Sequence, residues 1–262
     1  MRKLGMSATF AAGLVALCVG GQGKGAAGGA GGGGGGDTAR AETRVEAAQA
    51  GATVAGTVRF TGTKPVMAKI DMSDEPVCKG KYTTPPTKED VVVNPNGTLD
   101  NVFVYVKAGL PAGYTAPPAS STVLLDQNGC RYHPHVFGIQ VGQTMSIKNS
   151  DGIAHNIKAK GVKNRPFNIS QPTTMATPRS FTTPEVMVPL ECNVHGWMKA
   201  WLGVLPHPFF AVSGADGSFK ISGLPPGTYT IEAWHERYGT QTATVTVAGT
   251  ETKTADFTFA AH

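Results

Sequence analysis

The sequence predicts an all-β protein built from β-sandwiches, and three observations lead there. Short runs alternate apolar and polar residues and end in Gly, Pro, Asn or Asp, the pattern of half-buried strands between turns. Few stretches carry the three-to-four-residue apolar spacing of a helix. Charged residues make up only 16% of the chain, against 34 Gly and 18 Pro, so turn formers are plentiful. A length of 262 residues allows one large or two small domains with a real core.

The chain opens with Arg2 and Lys3, then an apolar stretch from Leu4 to Val19. Residues 1–20 read as an export signal or anchor, the apolar run being short of the roughly 20 residues a membrane span needs. Cys18 would be the lipid-attachment point of a lipoprotein, but Leu17 before it is bulky for that role. Residues 21–50, with Gly31 to Gly36 unbroken, read as a Gly-rich disordered tether. Folded sequence is expected from Gly51. Export predicts a periplasmic or extracellular protein, with a membrane tether at the N-terminus as one option. In such an oxidising compartment Cys78, Cys130 and Cys192 allow one disulfide and leave one thiol. Spacing leaves the pair open.

"TVAGTVRF" (53–60) reads as a strand and residues 65–90 as irregular. Residues 90–109 read as two strands around an Asn-Gly turn. Residues 136–152 give two more, with Met145 and Ile147 on one face. "AHNIKAKG" (154–161) puts His155 and Ile157 on the same side. "FNISQPTTMATPRSFTTPE" reads as loop or edge. Val186, Val188, Leu190 and Cys192 alternate onto one face, and "AWLGVLPH" follows as a strand. In the tail, Phe219 and Ile221 share a face, as do Tyr229, Ile231 and Ala233. Strands this short and this frequent pair over long range and bury a core between two sheets.

Chemistry concentrates in "ECNVHGWMKAWLG" (191–203), where Cys192, His195 and Met198 follow one another at intervals of three. A copper ion that changes oxidation state takes a thiolate, two imidazoles and a weak axial thioether. The loop supplies three of these, and His155 in "NSDGIAHN" is the candidate for the second imidazole. A buried cysteine with ordinary neighbours is the plain alternative. Zinc accepts Cys and His but seldom needs a thioether. A Cys–His nucleophile lacks an oxyanion motif here, so no enzyme is expected. A c-type haem would need a second Cys before His195. The net charge of +5 is modest, and the Gly run lacks the strand, lysine and helix of a phosphate loop. No nucleic-acid partner is expected.

"NSDGIAHN" together with "CNVHGWM" resembles the cupredoxins, the blue-copper proteins, and the Cys-x-x-His-x-x-Met spacing is similar to amicyanin-like members. "VGQTMSIKN" (141–149) resembles the strand before the first His. The resemblance covers residues 136–205 and implies a Greek-key sandwich, within a domain of residues 51–206 whose copper-site core is 130–206. It implies one copper ion held by His155, Cys192, His195 and Met198, with Asn156 tying the two ligand loops together. Asn193 stands where the family usually has Ser or Thr, and Gly196 where amicyanin-like loops have Pro. His135 is a reserve ligand; Cys130 is expected to pair with Cys78, and His133 and His135 to cap a strand.

"AVSGADGSFKISGLPPGTYTIEAW" resembles carboxypeptidase-regulatory-like, transthyretin-like sandwiches. This assigns residues 207–262 to a second, smaller sandwich. Either it stands alone, or strands from 52–64 and 100–109 complete it. His235 and Glu236 read as a surface loop. The cupredoxin resemblance implies a one-electron carrier. His195 is then expected nearest solvent, as the electron's exit. Lys158, Lys160, Lys163 and Arg165 would guide an acidic redox partner, or simply form a solvated face. The alternatives are copper binding or storage without redox function, and a structural or carbohydrate-binding sandwich without metal.

Overall fold

The structure, a computed structural model, describes residues 51–261. The expected export segment and tether, with Cys18, lie outside the described residues. The regular secondary structure of the described chain is almost entirely strand. It runs β1 (Ala52–Thr61), one helical turn α1 (Pro76–Lys79), β2 (Phe103–Ala108), β3 (Val123–Asn128), β4 (Arg131–His133) and β5 (Val136–Gln140). There follow β6 (Met145–Asn149), β7 (His155–Ala159), β8 (Phe167–Gln171), β9 (Met175–Arg179), β10 (Glu185–Glu191) and β11 (Lys199–Leu205). The tail holds β12 (Phe210–Val212), β13 (Ser218–Leu224), β14 (Gly227–His235), β15 (Gly239–Val247), β16 (Thr252–Thr254) and β17 (Phe257–Ala260).

Two sheets, β5-β11-β10-β7-β8 and β4-β3-β6-β9, come from the middle of the sequence. Leu125, Ile139, Ile147, Ile157, Leu190 and Leu202 belong to one core cluster drawn from both. The other two sheets are β13-β1-β16, with β17 also on β1, and β12-β2-β14-β15. Val54, Val58, Val104, Ile221, Ile231 and Phe259 share the second core. Alternation explains the faces: in β1, Val58 and Phe60 are buried while Arg59 and Thr61 are exposed. β1 and β2 precede the middle module in sequence yet pair with strands that follow it.

A third buried cluster joins the two sandwiches: Phe103 and Tyr105 of β2, Val136 of β5, Met187 of β10 and Leu205 of β11. Gly138 and Gly203 lie opposite each other in the β5–β11 pair. A side chain at either would run into the Phe103 ring, so glycine here permits the close approach.

Two strand expectations need correction. Val188, Leu190 and Cys192 are buried, but Val186 is exposed and Met187 is buried instead. The register shifts between Glu185 and Val188, and Met187 has a positive φ. This bulge re-aims Met187 into the inter-sandwich cluster. Residues 90–99 turn at the Asn-Gly as expected, but carry only isolated bridges, Val93–Leu99 and Thr98–Arg59, in place of the first strand. Between β1 and β2, residues 65–90 form a strap with one isolated bridge, Lys69–Thr87, and the turn α1.

Candidate metal centre

β10 and β11 pair through Glu191 and Lys199, so residues 192–198 form the loop that closes this hairpin. The loop is folded on itself. The Cys192 N–H donates to the Met198 carbonyl (3.2 Å), and the Met198 N–H to the His195 carbonyl (2.9 Å). The His195 N–H points at Cys192 Sγ (3.4 Å). His155 begins β7, which pairs with β10 on one side and β8 on the other. The hairpin loop and the first residue of its neighbouring strand therefore meet at one end of the sheet.

There, one ligand atom each from His155, Cys192 and His195 lie within 4.8 Å of one another. The two imidazoles face each other through Nδ1 (2.9 Å), and Cys192 Sγ is 3.9 Å from His195 Nδ1. All three side chains are buried, with relative exposures of 1%, 4% and 1% in chain order. Met198 is 1% exposed and shares their core cluster. Asn156 Oδ1 accepts from the Cys192 thiol (3.3 Å) and from the Asn193 and Val194 N–H groups (2.7 and 3.3 Å). Its Nδ2 donates to Asn168 Oδ1 on β8 (2.7 Å).

Asp151 supports the centre from behind. Its carboxylate contacts His155 Nε2 (2.9 Å) and Lys81 Nζ (3.0 Å) and accepts from the Gly129 and Cys130 N–H groups (2.7 Å each). With the His155 proton held on Nε2, the Nδ1 lone pair is left for the cluster. Asp151 stands four residues before His155 in "NSDGIAHN", so the sequence carries this partner within the motif itself.

The charges follow. Burial pushes the Asp151 carboxyl up, but His155, Lys81 and the two N–H donors hold it well below the usual carboxylate range. Burial pushes His155 down, yet the Asp151 hydrogen bond and the Cys192 sulfur carry it above its ordinary value. Burial also pushes the Cys192 thiol up, and hydrogen bonds from His155 and His195 overcome this, bringing it down to about 5. The three side chains bring a low-pKa thiol and two imidazole rings together, a donor set that fits copper or zinc.

His195 departs from expectation: it is covered rather than nearest solvent. Cys78 Sγ lies 3.9 Å from its Nε2 and Glu75 Oε1 3.7 Å away. Trp197 packs on its ring at 5.1 Å and donates from Nε1 to the Cys130 carbonyl (2.9 Å). Cys78 and Cys130 are joined in a disulfide. Cys130, Asp151 and His155 also converge within 4.8 Å, but that sulfur is committed to the disulfide. No local pattern in the sequence announced Glu75 or Cys78 as neighbours of His195.

His135 is turned elsewhere. Its ring nitrogens meet the Lys199 carbonyl (3.1 Å) and Glu236 Oε1 (2.5 Å), and His133 is exposed. Glu236 also accepts from Trp201 Nε1, and His235 is buried, its Nδ1 accepting from the Arg237 and Tyr238 N–H groups. Glu236 thus belongs to the junction between the sandwiches, and His235 packs on Tyr238 and Phe259 of the tail sandwich, so neither lies in a free surface loop. The basic run starts at Lys158, three residues or about 10 Å along β7 from His155, and continues away from it. Lys160 there is paired with Glu191 (3.0 Å).

Residues 207–260 match the carboxypeptidase regulatory-like domain family. No curated protein matches the chain. Among solved structures, the chain is similar to a copper-containing nitrite reductase from Thermus scotoductus (22% identity, TM-score 0.30), over 37% of this chain and 25% of that one. It is similar to an oxidised mutant of amicyanin (17%, TM-score 0.30), over 38% of this chain and 97% of that one. A purple cupredoxin from Nitrosopumilus maritimus shares 21% identity (TM-score 0.27), over 32% of this chain and 99% of that one. The chain thus spans a quarter of the nitrite reductase and almost all of the two smaller proteins.

Proposed function

We propose that this protein binds a single copper ion at His155, Cys192, His195 and Met198 and carries one electron at a time. The observation that supports this most is the convergence of a low-pKa thiol and two inward-facing Nδ1 atoms in a buried pocket. Copper bound there would alternate between its +1 and +2 states. The chain's own residues prepare for that. Asp151 fixes the tautomer of His155, Asn156 locks the 192–194 loop, and two sheets hold the donors in place. A donor set that cannot rearrange keeps the reorganisation on electron transfer small. The disulfide supports an oxidising, extracytoplasmic setting, and a redox partner protein is the corresponding proposal.

The test is visible absorption and electron paramagnetic resonance of the protein loaded with Cu(II). An intense thiolate-to-copper band with narrow copper hyperfine splitting, absent in Cys192→Ser, is expected. Ordinary tetragonal signals, or a band that survives the substitution, would remove Cys192 from the site. The cover over His195 favours a second reading, retention of copper without exchange of electrons. A potential outside the range of small soluble electron carriers, with no electron self-exchange, would select it.

A further inference from the structure

We propose that the strap of residues 70–82 is a door to the metal centre and that the Cys78–Cys130 disulfide is its latch. Metal enters while these two cysteines are thiols, and the centre is sealed when they join. This rests on the copper reading above for the identity of what enters.

The four candidate donors are 1–4% exposed, so some part of the chain must move for a metal to arrive. On the His155 side, β7 pairs with β8 along its whole length and with β10 at Lys158 and Ala159, and opening it would break a sheet. Behind Cys192 stands Asn156, with its own carbonyl held by the Tyr132 hydroxyl. At His195 Nε2 the cover is a segment outside all four sheets. Cys78 Sγ and Glu75 Oε1 supply it.

What holds that segment is mostly covalent. Beside the disulfide, the strap has the Lys81–Asp151 ion pair, the Tyr82 hydroxyl on the Gly129 carbonyl (2.7 Å), and the buried side chains of Ile70 and Met72. Lys81 is partly exposed and buried Asp151 keeps three other partners, a single neutral hydrogen bond contributes only about 1 kcal/mol, and Ile70 and Met72 contribute about 1.5–3 kcal/mol each, so without the latch the strap opens locally at a cost below that of unfolding the sheets. Closure balances as thiol–disulfide exchange with a disulfide-bearing oxidant. One cysteine thiolate attacks the oxidant's S–S bond, and the other displaces it from the mixed disulfide. The oxidant leaves as a dithiol with both electrons and both protons.

The test compares the full metal-free chain in its disulfide form with Cys78→Ser/Cys130→Ser. Two rates are read: alkylation of Cys192 by iodoacetamide, followed by peptide mass, and growth of the visible band after Cu(II) is added. Both are expected to rise roughly tenfold or more in the variant. Equal rates in a folded variant overturn the proposal. If the double variant does not fold, the wild-type chain with its disulfide reduced by a phosphine is compared with the oxidised chain, Cys192 being followed by its own peptide mass. Its alkylation is expected to quicken severalfold on reduction, and equal rates overturn the proposal. Should alkylation depend on the disulfide while no form takes up copper, the copper reading falls and the door stands. Should copper enter both forms equally fast, the door falls and the copper reading stands.

Discussion

Asn156 holds Cys192 in place across the sheet: one carboxamide oxygen on β7 accepts from the thiol and from the next two backbone N–H groups of the ligand loop. Replacing Asn156 with Ala leaves those N–H groups without their partner. The expected cost is about 1–3 kcal/mol of stability, seen as a lower Tm, together with a broadened thiolate-to-copper band as the loop loses its fixed shape. An unchanged Tm and band would show that the loop holds itself.

Cys192 should titrate far below an ordinary thiol in the metal-free protein, at about 5 instead of 9.0. Its folded pKa is depressed, so the stability it contributes is full above the ordinary thiol value and is lost as pH falls toward about 5. Thiolate absorbance near 240 nm should show the step, and Cys192→Ser should lack it. Denaturant unfolding of the two proteins should differ most at high pH.

Asp151→Asn keeps the shape but removes the charge that Lys81, His155 and two N–H groups share. An amide NH2 then faces a donor that previously had an acceptor. A loss of about 1–3 kcal/mol is expected in urea unfolding. The native carboxyl is depressed, so its contribution is present above the ordinary carboxylate range and fades as pH falls through and below it. The wild type and the variant should converge in stability at acid pH.

Gly203→Ala places a methyl group against the Phe103 ring at the junction of the two sandwiches. Overpacking of this kind costs about 1–3 kcal/mol. Thermal unfolding should show the loss, and a single sharp transition splitting into two would mean that the junction couples the sandwiches.

Met198→Leu conserves volume in the core, so the stability cost should stay below about 1.5 kcal/mol. If the thioether is the weak axial donor, its loss favours Cu(I) and raises the potential, which voltammetry reads directly. An unmoved potential would make Met198 a packing residue.

The strand pattern was legible because alternation is a local property: Met145 and Ile147, Phe219 and Ile221, and Tyr229 and Ile231 each share a buried face. The ligand loop was legible for a related reason. Seven residues between two paired strands have little choice but to bring their side chains together. The bulge at Met187 was not legible, since the register there is set by Phe103 and Leu205 from elsewhere in the chain. His135 shows the same limit, its partner Glu236 lying 101 residues away.

By itself, then, the sequence determined an all-β chain and a loop rich in soft-metal donors, because strand alternation and short-loop spacing depend on neighbours within a few residues. The tertiary structure alone decided that β1 and β2 complete sheets with the tail, that Asp151 backs His155, and that the strap covers His195. Those relations arise from burial and hydrogen-bond satisfaction between distant segments. No local spacing encodes them.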